Sequence, residues 1–590
     1  MKSLRIAVRS LCLLALIVAG SLPLCAQRLA VEGMHGMVVS AQQFGSEAGV
    51  EILKRGGNAI DAAVATGFAL AVTYPVAGNL GGGGFMLVHL ADGRDFAIDY
   101  RETAPAAATA NMYLSPNGQP IAGPGSSTLG WRASGIPGTV AGLAYAWEHY
   151  GSGKISWADI VEPARRLAEE GFPLSQGAVA SLRGAARLLE QDSESRRIFL
   201  KDGRFYAAGE ILRQPELAAT LARIQQLGAR EFYEGETAAR LADAMAAHGG
   251  PLTRADLAGY RVMVREPLRG SYRGHEIVTM PPPSSGGIAL LQMFAMLEPY
   301  DIAALGHRSA ARYHLFAEAM RRAFRDRAEY LGDPDVVAVP VARLLDRDYL
   351  TRPMTDFDPQ HATSSRNLAP GLGPVASLPL PESKETTHFS VTDAAGNAVS
   401  NTYTLNGSYG SGVTIPGVGI LMNNEMDDFT TAAGRPNAYG LIQGSANAIA
   451  PGKRPLSSMT PTFVLKNGRL ILVTGSPGGP TIINTVLQVV SNVVDLRMPA
   501  MQAVEEPRIH HQWLPDVLTY ERYGISADTV AALRTRGHRV EERASYEGAY
   551  QGAASTIAVD PETGLQRGAA DPRRPDALAV GFDGPAPSAR

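Results

Sequence analysis

Cysteine is nearly absent: the 590 residues hold two, Cys12 and Cys25, both close to the amino terminus. That count excludes a disulfide framework, a C-x-x-C redox centre and a thiolate zinc cluster, and it leaves the body without a thiol nucleophile. An excess of one charge is missing too. With 54 basic against 57 acidic side chains and a formal net charge of −3, there is no basic field for nucleic acid and no charged tail. Long apolar runs are confined to one place. Ser10 to Ala26 carries no charge and follows Lys2, Arg5 and Arg9, the pattern of a secretory leader (residues 1–26) whose expected cleavage is after Ala26. Leu24 is bulky for the small-residue site there, and Cys25 as an acylated lipoprotein residue is the rival reading. The body is expected to be a soluble exported protein, in the periplasm or held outside by a lipid.

Familiar catalytic motifs are missing as well. There is no G-x-x-x-x-G-K-[ST], and Gly81 to Gly84 precedes a strand-like run, so a phosphate cradle is not expected. No G-x-S-x-G or S-x-x-K supplies a serine nucleophile. His275-Glu276 lacks the second histidine of a zinc motif, and the adjacent His510 and His511 cannot share one helix face. Neither a metal nor a cofactor is expected.

What is present alternates between helix and strand signals. Residues 44–72 read as two packed helices broken at Gly56-Gly57-Asn58, and Phe85–Leu90 with Phe96–Tyr100 read as a hairpin. Trp157 to about Leu331 reads as mostly helical, with Arg321, Arg322, Arg325 and Arg327 on a solvated face. Residues 354–385 lack periodicity and read as an exposed flexible segment. Beyond it, Thr387–Thr392 and Ala398–Leu405 flank one turn, and Thr462–Leu465 and Leu470–Thr474 flank another at Asn467-Gly468. Gly475-Ser476-Pro477-Gly478-Gly479-Pro480 then opens a helical run, Thr481–Val494, whose start exposes backbone N–H groups suited to an anion or a developing oxyanion. The layout predicts a layered α/β or α+β body.

The junction Glu385-Thr386 is the remaining candidate for chemistry. A threonine hydroxyl is inert until a base takes its proton. Cleavage before Thr386 would free an α-amino group of pKa about 7.7 to 8.0, a usable base near neutral pH. On composition alone the commoner reading is plainer: Thr386 and Thr387 are β-favouring residues opening a strand.

A series of ordered motifs weighs against that plainer reading. Thr386-Thr387-His388-Phe389-Ser390, Thr402 to Asn406, Asn423 to Phe429, Lys453 to Met459 and Gly475 to Gly479 resemble the motifs of the γ-glutamyltransferases. Upstream, Gly56 to Ala62, Gly81 to Phe85, Tyr100 to Pro105, Gly135 to Gly138 and Pro282 to Gly287 are similar to the same family, as is Gly568 to Asp576 at the other end. The resemblance implies a self-cleaving N-terminal-nucleophile hydrolase with a four-layer αββα sandwich formed jointly by two segments, residues 27–385 (large) and 386–590 (small), joined as a heterodimer. It implies Thr386 as nucleophile and α-amino base, Thr404 as its hydroxyl partner, and Gly478 and Gly479 as oxyanion donors. Arg101, Ser457 and Ser458 would hold the α-carboxylate of a γ-glutamyl group, and Asn406, Glu425 and Asp428 its α-ammonium. Gly434–Gly444, with Tyr439, resembles a lid over that pocket. The implied substrates are glutathione and other γ-glutamyl compounds, with water, amino acids or dipeptides as acceptors. Alternatives are a cephalosporin or glutaryl acylase, a γ-polyglutamate-processing enzyme, or an exported binding protein that keeps the pocket without processing. Without the leader's three positive charges the body has 51 basic against 57 acidic side chains, a formal −6, and no cysteine.

Overall fold

The structure is a computed structural model that describes residues 28–373, 386–430, 445–543 and 551–584. Fourteen strands build two seven-stranded sheets: β1 (Val31–Gly33), β2 (Gly36–Ser40), β3 (Gly83–His89), β4 (Asp95–Tyr100), β5 (Met263–Arg265), β6 (Leu268–Tyr272), β7 (His275–Thr279), β8 (Thr387–Asp393), β9 (Ala398–Thr404), β10 (Thr462–Lys466), β11 (Arg469–Thr474), β12 (Ser555–Val559), β13 (Gln566–Ala570) and β14 (Leu578–Phe582). The orders are β1-β13-β12-β11-β10-β7-β6 and β14-β2-β8-β9-β3-β4-β5. Every pairing within them is antiparallel.

Helices cover both outer faces. The period of two in strand side chains divides the second sheet between two cores. Val38, Met86 and Val88 join one core with Ile52, Ile60 and Phe68 of α1 (Gln43–Lys54) and α2 (Ala59–Thr73). Their neighbours Met37, Val39, Phe85 and Leu87 turn to the other core, shared with the first sheet and with α3 (Gly286–Leu297), α4 (Ala310–Tyr330) and α5 (Thr481–Val494). This is the αββα sandwich. Asn58 caps α2 in a capping box with Asp61, which explains the break read at Gly56-Gly57-Asn58.

Two expectations change. The stretch taken as mostly helical also contains β5, β6 and β7, because an Arg273-Gly274 turn, both residues at positive φ, closes a hairpin without the usual Asn-Gly signal. Residues 354–373 are largely exposed, as expected, but they are not loose. Thr363 N–H donates to Glu318 at 3.0 Å, Ser365 N–H to Asp516 at 2.8 Å and Gly371 N–H to Asp326 at 3.1 Å, so polar anchors hold a chain that has no apolar period. Residues 1–27, which include the expected leader and both cysteines, and residues 374–385 lie outside the described residues.

Candidate active site

Thr386 stands at the head of β8, only 4% exposed. The β8–β9 register pairs Thr387 with Tyr403, which sets Thr386 beside Thr404 at the end of β9. Thr404 Oγ accepts the N–H of Asn406 at 2.8 Å, and Asn406 Nδ2 donates to the Asn424 carbonyl at 2.9 Å. Asn406 holds φ +75°, a conformation that asparagine tolerates better than most residues. These bonds tie the exit of β9 to the 423–428 loop. Asn423 fastens that loop further, its Nδ2 donating to Gly81 at 2.7 Å and Gly135 at 2.9 Å. The Gly81–Gly84 motif therefore has a packing role: a Cβ at Gly82 would strike the Thr404 carbonyl, and one at Gly84 the Thr402 carbonyl.

Behind Thr386, the His388 ring is held by Thr402 Oγ1 at 2.8 Å and Ser390 Oγ at 3.2 Å. Burial drives its pKa down to about 3, so the imidazole is neutral. Gly475 passes so close that a Cβ would run into that ring. The loop from β11 to α5 is thus laid over the start of β8. In it, Gly478 has φ +129° and Gly479 φ +54°. Within the described residues neither N–H donates a backbone hydrogen bond, whereas the Gly478 carbonyl accepts from Thr481 N–H at 3.1 Å and its hydroxyl at 2.8 Å. This arrangement leaves two donors at a helix start for a developing negative charge.

Arg101, which follows β4, is fully buried. Its guanidinium lies 2.5 Å from Glu425, bonds Asp428, and stands 3.7 Å from Glu102. It also donates to the carbonyls of Pro455 at 3.4 Å and Leu456 at 3.3 Å. Ser457 and Ser458 follow directly, so Arg101 meets their loop through its backbone and not through their hydroxyls. Ser457 Oγ accepts from Met459 N–H at 3.2 Å.

The profile of the family described as Gamma-glutamyltranspeptidase matches residues 45–581. The chain belongs to this family. Among curated relatives, a glutathione hydrolase proenzyme of Pseudomonas sp. (strain A14) is 46% identical over 562 residues, 94% of this chain and 96% of the relative. The glutathione hydrolase proenzyme of Escherichia coli (strain K12) is 45% identical over 554 residues, 94% and 93% of the two chains. The crystal structure of cephalosporin acylase from Bacillus halodurans superposes with a TM-score of 0.82 at 29% identity, covering 96% of this chain and 99% of that one.

In this γ-glutamyltranspeptidase-family chain the carboxyl groups around Arg101 are electrostatically strained. Burial pushes Glu425 well above the usual carboxyl range, with Arg101 pulling the other way and Glu102 and Asp428 adding to the rise. Burial also lifts Glu102 to about 7 against the pull of Arg101. Asp427 rises to about 7 for the same reason, although it accepts the Ser127 hydroxyl at 2.6 Å. Dry carboxylates this close keep a proton unless a cation compensates.

One site residue escaped the sequence reading. The arginines of α4 are not on a solvated face: Arg321, Arg322 and Arg327 are buried because α4 is enclosed on nearly every side. Arg321 bonds Ser365 at 2.6 Å and Asp516, and Arg322 bonds Asp356 at 2.8 Å. Arg327 reaches the site itself. Its Nε donates to Ser285 Oγ at 2.8 Å and its Nη2 to Ser458 Oγ at 3.2 Å, while Ser285 Oγ donates to the Ser457 carbonyl at 2.6 Å. Burial draws this guanidinium down to about 9, with Asp428 opposing. The signal was available in the helical spacing, which puts Arg327 among Phe316, Met320 and Ala323 on the apolar face and apart from Arg321, Arg322 and Arg325. Nearby, His314, Glu318 and His538 form a cluster whose ligand atoms lie within 4.8 Å of one another. There the two rings bond each other at 2.7 Å and Glu318 pairs with Arg321 and Arg322, so its charge is already met by cations. Glu385, Tyr439 and the whole 434–444 segment lie outside the described residues.

Proposed function

We propose that the chain is an exported proenzyme that cuts itself between Glu385 and Thr386 and then hydrolyses or transfers γ-glutamyl groups through a Thr386 ester. In the first reaction Thr386 Oγ attacks the Glu385 carbonyl and the C–N bond breaks as the acyl group passes to oxygen. Water then hydrolyses that ester, releasing the Glu385 carboxylate and leaving Thr386 with a free hydroxyl and a free α-amino group. The products are segments of 359 residues (27–385) and 205 residues (386–590). They remain joined as a heterodimer.

In turnover, the α-amino group takes the Thr386 hydroxyl proton as Oγ attacks the γ-carbonyl. Burial at the head of β8 disfavours the ammonium form and sharpens this base. The oxyanion forms against the Gly478 and Gly479 N–H groups, where one donor is worth roughly 3 to 4 kcal/mol of barrier. The collapsing intermediate expels the amine, which takes the proton from the α-ammonium, and water or an amino acid or dipeptide resolves the ester. Arg101 with the Ser457–Ser458 loop receives the α-carboxylate; Asn406, Glu425 and Asp428 receive the α-ammonium. Arg101 exchanges carboxyl partners within the site for the carboxylate of the substrate. Glutathione is the expected donor, as the names of the relatives suggest.

The observation that carries this reading is the position of Thr386, buried in register beside Thr404 under the Gly475–Gly479 loop. An acylase reading draws on the likeness to the cephalosporin acylase, but a glutaryl group has no ammonium for Glu425 and Asp428 to hold. Export through a leader cleaved after Ala26, or anchored at Cys25, completes the proposal and assigns the enzyme to the periplasm or the outer face of a membrane. The test is to purify the exported protein, size its fragments and assay release from a γ-glutamyl anilide with and without a dipeptide acceptor. Fragments beginning near Gln27 and Thr386 with anilide release are expected. An intact, inactive chain would reject the proposal in favour of a binding protein.

A further inference from the structure

The γ-glutamyl pocket gathers more negative than positive side chains in a dry place. Glu102, Glu425 and Asp428 surround the Arg101 guanidinium, Asp427 adjoins Asp428 in the chain, Arg327 acts on Asp428, and all six residues are buried. Within this set Glu102 and Glu425 have an unusual relation. All four of their carboxyl oxygens are buried, and both groups crowd one nitrogen, Arg101 Nη1, which lies 2.5 Å from Glu425 and 3.7 Å from Glu102. One guanidinium does not offset two ionised carboxylates in a dry place, where each also repels the other. One proton between them satisfies both.

We propose that Glu102 is a specificity-determining residue of this pocket: in the free enzyme it shares one proton with Glu425, and the α-ammonium of a bound γ-glutamyl group takes that proton's place, the proton passing to solvent. The inference rests on the γ-glutamyl reading above and deepens it. The surrounding charges agree. Arg101, on the loop after β4, faces both carboxyls; Asp428 joins them on Arg101 from the 423–428 loop, and the charge of Arg327, from α4, acts on Asp428. Tyr100 and Tyr260 also feel the charge of Glu102, and burial keeps both phenols neutral. With Glu102 held near 7 and Glu425 well above the usual range, the shared proton is present at neutral pH and belongs to the pair as a unit. A ligand without an ammonium cannot replace it. Discrimination between a γ-glutamyl and a glutaryl group therefore grows as the pH rises, since an increasing fraction of sites then carries the charge that only an ammonium satisfies.

The test is calorimetric titration of the processed enzyme with L-glutamate, and separately with glutarate, in buffers of different ionisation enthalpy from pH 6 to 9. Glutamate should release close to one proton near neutral pH, falling toward none at the alkaline end, and its apparent affinity should weaken about tenfold per pH unit below the pair's titration. Glutarate should release none. Glu102→Gln, whose amide supplies the missing donor, should abolish the release and flatten the pH dependence of KM for a γ-glutamyl anilide, and Glu425→Gln should do the same. If Glu102→Gln does not fold, the wild-type comparison of glutamate with glutarate and the Glu425→Gln variant decide alone. Glutamate binding without proton release, or with a release that neither variant changes, overturns the role of Glu102 and leaves the γ-glutamyl reading standing. No binding of glutamate, together with no anilide turnover, overturns both.

Discussion

Replacing Gly478 by alanine separates chemistry from binding in this site. Gly478 holds φ +129°, a region that costs other residues about 1 to 3 kcal/mol. The new Cβ would lie 2.5 Å from Thr481 Oγ1 and 3.3 Å from the Gly552 Cα. Heavy atoms rest at about 3.5 Å or more, so relief demands a shift of roughly 1 Å. The atom in the way cannot swing aside freely, because the Thr481 hydroxyl donates to the Gly478 carbonyl at 2.8 Å. The loop must move, and the two N–H groups move with it. Misplacing one oxyanion donor lowers kcat by roughly 100- to 1,000-fold, or about 2.7 to 4 kcal/mol. KM should stay within about threefold, since Arg101, Glu425 and Asp428 stand on other loops and their ground-state contacts are untouched. Steady-state release from a γ-glutamyl anilide by fully processed enzyme gives both constants. The double variant Gly478→Ala/Thr481→Ala removes the obstructing hydroxyl and should recover part of the loss. A single variant that processes normally and keeps kcat within about threefold of the parent would refute the oxyanion assignment.

Thr386→Ala should remain one uncut chain without anilide release, whereas Thr386→Ser should retain some of both activities; cleavage of the alanine variant would remove Thr386 from the nucleophile's role. Arg101→Lys exchanges a planar fork for a point charge and should raise KM roughly 10- to 100-fold while self-cleavage proceeds; an unchanged KM would count against carboxylate binding. Arg327→Met removes the guanidinium that holds Ser285 and Ser458, so KM should rise together with a stability loss of about 3 kcal/mol in urea titration, and neither change would mean that the Ser457–Ser458 loop needs no support. Burial lowers the folded-state pKa of His388, His510 and His538 to about 3 and of His511 to about 4. Between these values and about 6.5 the unfolded chain binds more protons than the folded one, so stability is complete above 6.5 and falls with pH, by about 1.4 kcal/mol per histidine per unit. Melting temperatures should therefore drop from pH 7 to pH 4.5, and a flat profile would contradict the buried neutral rings.

Local signals carried far in this sequence. The Asn467-Gly468 turn places both residues at positive φ, 52° and 75°, as a two-residue hairpin demands, and α5 spans Thr481–Val494 as its apolar run indicates. What did not show locally depends on partners far along the chain. Arg327 looked like a solvated charge because its partners, Ser285 and Ser458, lie 42 and 131 residues away. The 354–373 segment looked loose because it is held by carboxylates of α4 and Asp516 and not by apolar side chains. The candidate site residues were named from ordered motifs, yet their grouping was not legible. Arg101 sits directly on Glu425 and Asp428, and that crowding of charge comes only from the fold.

The strand order has a consequence for the proposed cut. In one sheet β14, β8 and β9 come from beyond residue 386 and alternate with β2 and β3 from before it; in the other, β1 and β7 bracket β13, β12, β11 and β10. The two pieces therefore meet along five hydrogen-bonded seams: β14·β2, β2·β8, β9·β3, β1·β13 and β10·β7. Parting them means opening both sheets at once. The proposed scission at Glu385-Thr386 would then change covalent connection and not strand partnership: neither piece holds a complete sheet to fold around, and a severed pair that unfolded would have lost the tether that first threaded its strands together. An enzyme cut in this way would fold once, as a single chain, and its active form would be preserved by the height of the barrier to unfolding more than by any route back.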